Sequence, residues 1–264
     1  MSEEPASIAF DRAAEYYDRT RVITPEASEA MTQMLAGEMR GRDRCLEIGV
    51  GTGLVSLPLH AAGIRMVGVD LSRPMLNKLI EKAGGRPPFP LVVGDATRLP
   101  LPDRCFDAAL ARHVLHLIPR WRDAVRELGR ILRPGGVLML NIGVKGGQGP
   151  WDEVIDRLEA RVGSEARRKG LDLDDHAQLD EVVESFGGRL RVLPTLWQAS
   201  ELTLRTFFEE IEAGFYSWTW GVDHETLATA VSDARRWAEE RFGGFDEVLE
   251  PRFPIAWRAY DLAR

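Results

Sequence analysis

The chain has 264 residues, 44% of them apolar, which is enough for one large α/β domain or a domain with an inserted cap. Its formal net charge is −7, with acids and bases mixed along the chain and no basic block, so nucleic acid is not expected as an electrostatically recruited partner. The acidic start MSEEPASIAF has no apolar signal-peptide core, and no apolar run reaches the roughly 18 residues of a membrane span, so a cytoplasmic location is expected.

Residues 26–39 carry Ala27, Ala30, Met31, Met34 and Leu35 at helical spacing. A short strand follows at 45–48, then a glycine turn and a helix over about 54–62, which Pro58 is expected to kink. The second unit is a strand at 65–69 and a helix with Ser72 as N-cap and Gly84 just past its end. Strands are predicted at 90–94 and 106–111, then a helix at 121–133, a turn at 134–136 and a strand at 137–142. Both cysteines, Cys45 and Cys105, fall in or at the edge of these predicted strands and read as small reduced core residues, without a CxxC pair or metal-ligand spacing. Short apolar strands alternating with helices indicate an α/β, doubly wound, Rossmann-like sheet that binds its ligand at the carboxyl ends of the strands.

The rhythm changes after residue 149. Helices are predicted at 151–169, 174–186, 203–213 and 223–242, and strands at 189–198 and 252–262. This pattern gives a single domain: a core of about 40–150 plus 174–200 and 250–264, with an inserted helical cap at about 151–172 and 201–245. Seven of the chain's 21 aromatic residues lie between 197 and 220. Apolar or planar ligands are bound by such groups, so Tyr216, Trp218 and Trp220 are candidate substrate contacts.

The stretch 46-LEIGVGTGLV-55 raises the question of its ligand. A dinucleotide fingerprint needs its third glycine where Leu54 stands, and Glu47 would repel phosphates. Glu47 suits a cationic group instead. Asp70, ending the second strand, can accept both hydroxyls of a ribose, and Asp95, after the third, can accept from an exocyclic amine. S-adenosylmethionine carries these three groups.

These residues resemble a known pattern. E47-I-G49-V-G51-T-G53 is similar to the E/D-x-G-x-G-x-G motif of class I S-adenosylmethionine-dependent methyltransferases. The segments 67-VGVDLS-72, 94-GDATRLPLPDRCFDAAL-110, 112-RHVLHLIP-119 and 131-ILRPGGVLML-140 follow in order. The chain looks most like the small-molecule branch that includes the ubiquinone and menaquinone biosynthesis methyltransferases, over about residues 10–142. The resemblance implies that Gly49, Gly51 and Gly53 admit the methionine part and that Glu47 holds its ammonium. It puts Asp70 on the ribose, Leu71 and Met75 near the adenine, and Asp95 and Ala96 at the adenine edge. Arg112 would lie beside the methionyl moiety. The lead-in 10-FDRAAEYYDRTR-21 resembles the branch's N-terminal helix, implying a lid over about 8–24 with Tyr17 and Arg21 near the reactive end of the cofactor.

The expected activity is methyl transfer to a small, apolar or aromatic acceptor, with S-adenosylhomocysteine as product and no metal. A non-catalytic S-adenosylmethionine-binding protein, or an RNA or protein methyltransferase, is the alternative. His113 and His116 follow the fourth predicted strand and have a suitable pKa for base work on an oxygen acceptor. Tyr17 is a further candidate. The stretch 111-ARHV-114 departs from the D/N-P-P-Y/F of amine-methylating nucleic-acid enzymes.

Overall fold

The chain begins with a short N-terminal segment and then alternates strand and helix. In the computed structural model, which describes residues 7–141, 150–163, 170–172, 175–199, 202–246, 248–249 and 252–263, the first elements are α1 (Tyr17–Thr20) and α2 (Pro25–Glu38). Then come β1 (Arg44–Ile48), α3 (Ser56–Ala61), β2 (Arg65–Asp70), α4 (Arg73–Lys82), β3 (Leu91–Val93), β4 (Phe106–Arg112), α5 (Trp121–Ile131) and β5 (Leu132–Asn141). The later elements are α6 (Pro150–Val162), α7 (His176–Glu184), β6 (Gly188–Val192), β7 (Leu196–Ala199), β8 (Leu202–Thr203), α8 (Leu204–Glu212), α9 (His224–Phe242), β9 (Val248–Leu249), β10 (Arg252–Ile255) and β11 (Arg258–Leu262).

Seven strands form the main sheet in the order β3-β2-β1-β4-β5-β11-β6. The first five are parallel, and β11 runs antiparallel to both neighbours. Both faces are covered, so the central strands are almost wholly apolar. Leu46, Ile48, Ala109, Ala111, Leu138 and Leu140 pack on the side of α5 and α7. Cys45, Ala108, Leu110, Val137 and Met139 pack on the side of α2, α3 and α4. This strict alternation fixes which face each functional side chain leaves from. Helix α2 starts cleanly because the Thr24 side chain accepts from Ala27 N and Pro25 takes the first position. Its buried stripe is Ala27, Met31 and Leu35. A third core, among α6, α8 and α9, is built on Val154, Leu158, Phe208, Ile211, Val231 and Ala234.

Several expectations are corrected. Helix α3 begins at Ser56, so Pro58 falls in its first turn, where no intrahelical bond needs the missing N–H. The strand predicted at 189–198 is two strands in different sheets: β6 pairs with β11, and β7 pairs with β10. The strand predicted at 252–262 breaks at the matching place, into β10 and β11. Pro194 lies in the first break, and Leu193 N donates to Trp257 O (3.0 Å) between the two breaks. Strand β5 begins at Leu132, with the predicted turn absorbed as an irregularity opposite Asp107. Cys105 lies just before β4 and is only half-buried. Trp197 sits on β7, 49% exposed, away from the α6–α8–α9 core. The predicted helix ends at 164–169 and 174, and Ile142 of the fifth predicted strand, lie outside the described residues. No described helix is long and apolar enough to cross a membrane.

Candidate active site

The turn after β1 is shaped by close approach. Gly49 has φ +62°, and a Cβ there would meet Val114 Cγ2 at 2.6 Å. Gly51 has φ +53° and faces Met75. Both positions therefore need glycine, one mainly for space and one mainly for backbone conformation. Asp70, the last residue of β2, binds the turn: its Oδ2 accepts from Gly51 N and its Oδ1 from Ser72 N, each at 2.8 Å. Ser72 then caps α4 by accepting from Met75 N. Each Asp70 oxygen keeps a further lone pair for a ligand hydroxyl. Burial raises the Asp70 pKa, against the pull of these N–H groups.

Charged groups gather at one end of this turn. Glu47 leaves β1 on the α2–α3 side, is 2% exposed, and its Oε2 has no hydrogen-bond partner. Burial pushes its pKa up to about 8; Asp70 adds to the rise, and Ser56 and Arg112 oppose it. Arg112 ends β4 on the same face, with its Nε buried and unpartnered. Burial lowers the Arg112 pKa, although Tyr17 and Glu47 favour the cation. Burial likewise raises the Tyr17 hydroxyl, against Arg21 and Arg112. His113 has a left-handed backbone, φ 50°, and its N–H donates to Asn141 O (3.0 Å). Burial, then the Arg112, His116 and Arg21 charges, hold its pKa well below the usual histidine range, so the ring is neutral.

The cleft above the turn contains about 630 Å3 of empty volume, part of it open to solvent. Gly49, Gly51, Asp70, Leu71 and Met75 line one side. Asp95, Ala96, Arg112 and His113 line another, and Tyr17 with Ile8 and Phe10 closes it from the N-terminal segment.

Residues 46–140 match a family described as a methyltransferase domain. This segment is a methyltransferase domain. Phosphatidylethanolamine N-methyltransferase of Cereibacter sphaeroides is 34% identical over 119 residues, 44% of this chain and 58% of that protein. Demethylmenaquinone methyltransferase of Clavibacter sepedonicus is 30% identical over 146 residues, 53% of this chain and 59% of that protein. The matched region thus spans 58–59% of the length of these relatives. Among solved structures, the YcgJ protein of Bacillus subtilis superposes with a TM-score of 0.59 at 17% identity, over 89% of this chain and 99% of that one. A Haemonchus contortus phosphoethanolamine N-methyltransferase, in complex with phosphomonomethylethanolamine and S-adenosylhomocysteine, gives 0.55 at 19% identity, over 96% of this chain and 58% of that one. At such identities the likeness establishes the fold, which is the Rossmann-like sheet of class I methyltransferases.

Other candidate residues lie outside the cleft of the methyltransferase domain. Glu47 and Gly53 are not part of its lining; Gly53 faces Leu57 and Leu79. His116 is on a short 3-10 turn, Leu115–Leu117, whereas His113 lies before that turn, so the two do not share a helix. Only His113 reaches the cleft. Arg21 stands between two rings, 6.0 Å from the Tyr17 centroid and 5.5 Å from that of Tyr216. Tyr216 donates to Glu210, Trp220 packs on Phe10 at 4.8 Å and Arg12, and Trp218 packs on the α6–α8–α9 core. These aromatics therefore grip the N-terminal segment and the helices. The lead-in stretch is also two short pieces, a 3-10 turn Asp11–Ala13 and α1, in place of one helix.

Sequence reasoning missed Asp18, Thr52 and Lys82, which tie that segment to the glycine turn. A threonine inside the glycine motif and an acid beside Tyr17 were the available signals. It also missed Asn141 and Trp257. These are 3% and 0% exposed, with Asn141 Oδ1 and Trp257 Nε1 unpartnered. Both belong to the face that carries Glu47 and Arg112.

Proposed function

We propose that the protein transfers a methyl group from S-adenosylmethionine to a small, apolar or aromatic acceptor and releases S-adenosylhomocysteine. The observation that carries this reading is the buried, unpartnered Glu47 Oε2 beside the glycine turn. A pyrophosphate would only keep this carboxyl protonated, whereas an ammonium group would satisfy the oxygen and favour its ionised form. The unpartnered Arg112 Nε suits a carboxylate, so the two atoms together fit the zwitterionic end of an amino acid. The relatives named for phosphatidylethanolamine and demethylmenaquinone support an acceptor with an apolar part.

When bound, S-adenosylmethionine would supply a methyl group on a cationic sulfur, already an activated leaving group. The chain's own work is to bind, orient and exclude water. In this reading Glu47 takes the ammonium, Asp70 the ribose diol and Asp95 the adenine amine. Leu71, Met75 and Ala96 give the adenine an apolar seat. Tyr17 and His113 stand at the reacting end. His113 is kept neutral, so its lone pair can take a proton from a hydroxyl acceptor. The helices α6, α8 and α9 form a cap, and residues 8–24 form a lid.

Calorimetry with S-adenosylhomocysteine tests the assignment. Asp70→Ala is expected to weaken binding by about 1.5–3 kcal/mol, the usual worth of hydrogen bonds to a charged acceptor. Unchanged affinity would remove Asp70 from the cofactor site.

A further inference from the structure

The N-terminal segment meets the rest of the protein through two chemically different faces. Its outer face is held by rings: Tyr16 stacks on Phe215 at 4.3 Å, and Phe10 and Arg12 pack on Trp220. Its inner face is held by two carboxylates: Glu15 pairs with Lys78 of α4 (3.1 Å), and Asp18 alone of the two reaches the glycine turn. Asp18 Oδ1 accepts from Thr52 Oγ1 (2.6 Å), and Oδ2 pairs with Lys82 Nζ (2.7 Å). Lys82 Nζ also donates to Thr52 O (3.0 Å), closing a three-residue tie between α1, the turn and α4. Thr52 is 1% exposed, whereas Asp18 and Lys82 are partly open to solvent. Tyr17, the neighbour of Asp18, lines the cleft along with Ile8 and Phe10.

We infer that Asp18 is a positioning residue for this site. Its tie to Thr52 and Lys82 sets Tyr17 in the cleft, and an S-adenosyl ligand exchanges only when that tie is broken. The inference rests on the cofactor reading above. The ring contacts to the cap need not break with it, so the segment can leave the turn while still attached to Phe215 and Trp220.

The test is stopped-flow release of S-adenosylhomocysteine from the full chain. Asp18→Asn and Thr52→Val are each expected to speed release by about tenfold or more, while Thr52→Ser keeps the slow rate. Higher salt is expected to speed release from the wild type by screening the partly exposed Asp18–Lys82 pair, and to have a smaller effect on Asp18→Asn, which keeps only the Glu15–Lys78 pair. A general loss of folding stability would not remove that salt dependence. Release rates within twofold of the wild type in Asp18→Asn and Thr52→Val, with the ligand still bound, would overturn the inference. A wild type that binds no S-adenosylhomocysteine would instead overturn the cofactor reading beneath it.

Discussion

Glu47 is a carboxylic acid that the fold keeps protonated until about pH 8. The unfolded chain ionises it near 4.5, so between these values the folded state holds a proton that the unfolded state lacks. Its contribution to stability therefore falls as pH rises through this window, by at most about 1.4 kcal/mol per pH unit, and levels off above it. Urea unfolding at about pH 5.5 and about pH 8 should show the wild type losing stability relative to Glu47→Gln. Parallel slopes would contradict the protonation assigned to Glu47. An ammonium ligand needs the ionised form, so affinity for S-adenosylhomocysteine should rise by up to about tenfold per unit as pH approaches 8, and stay flat in the Gln variant. His113 behaves oppositely: it is already neutral below the usual histidine range, so its titration should not depress kcat near pH 6.5. With a hydroxyl acceptor, His113→Ala should lower kcat by about 10²–10⁴ and barely change cofactor affinity. Equal loss of both would make the residue structural.

The glycine turn is the element on which the site depends. Gly49→Ala forces a Cβ against Val114 and a side chain into left-handed backbone, which alone costs about 1–2 kcal/mol. Denaturation of the single and double variants should show Val114→Ala relieving part of the loss, the part due to the clash. Full rescue, or none, would contradict this division. The turn and its acids were legible in the sequence because apolar runs, alternate glycines and strand-end carboxylates are local signals. The bent strands were not. Residues 189–198 and 252–262 each read as one apolar-rich run, and only the pairing of β6 with β11 and of β7 with β10 reveals the break. The lead-in stretch misled for a related reason. Tyr16 turns to the cap, Tyr17 turns to the cleft and Phe10 meets both, so tertiary partners on two sides override the helical pattern.

Over the whole molecule, the long-range contacts carried the least sequence signal. The Tyr16 hydroxyl donates to Gly214 O across 198 residues, and no periodicity announces such a bond. The aromatic run near residue 216 was visible, but its partner, the N-terminal segment, was not. We propose that the turn, the strand-end acids and the N-terminal segment together enclose S-adenosylmethionine. The most direct test is calorimetric titration of the full chain with S-adenosylhomocysteine, with NAD as a parallel control. Binding of the former alone is expected, with micromolar affinity, about −8 kcal/mol. Binding of NAD, or of neither ligand, would rule out an S-adenosyl site.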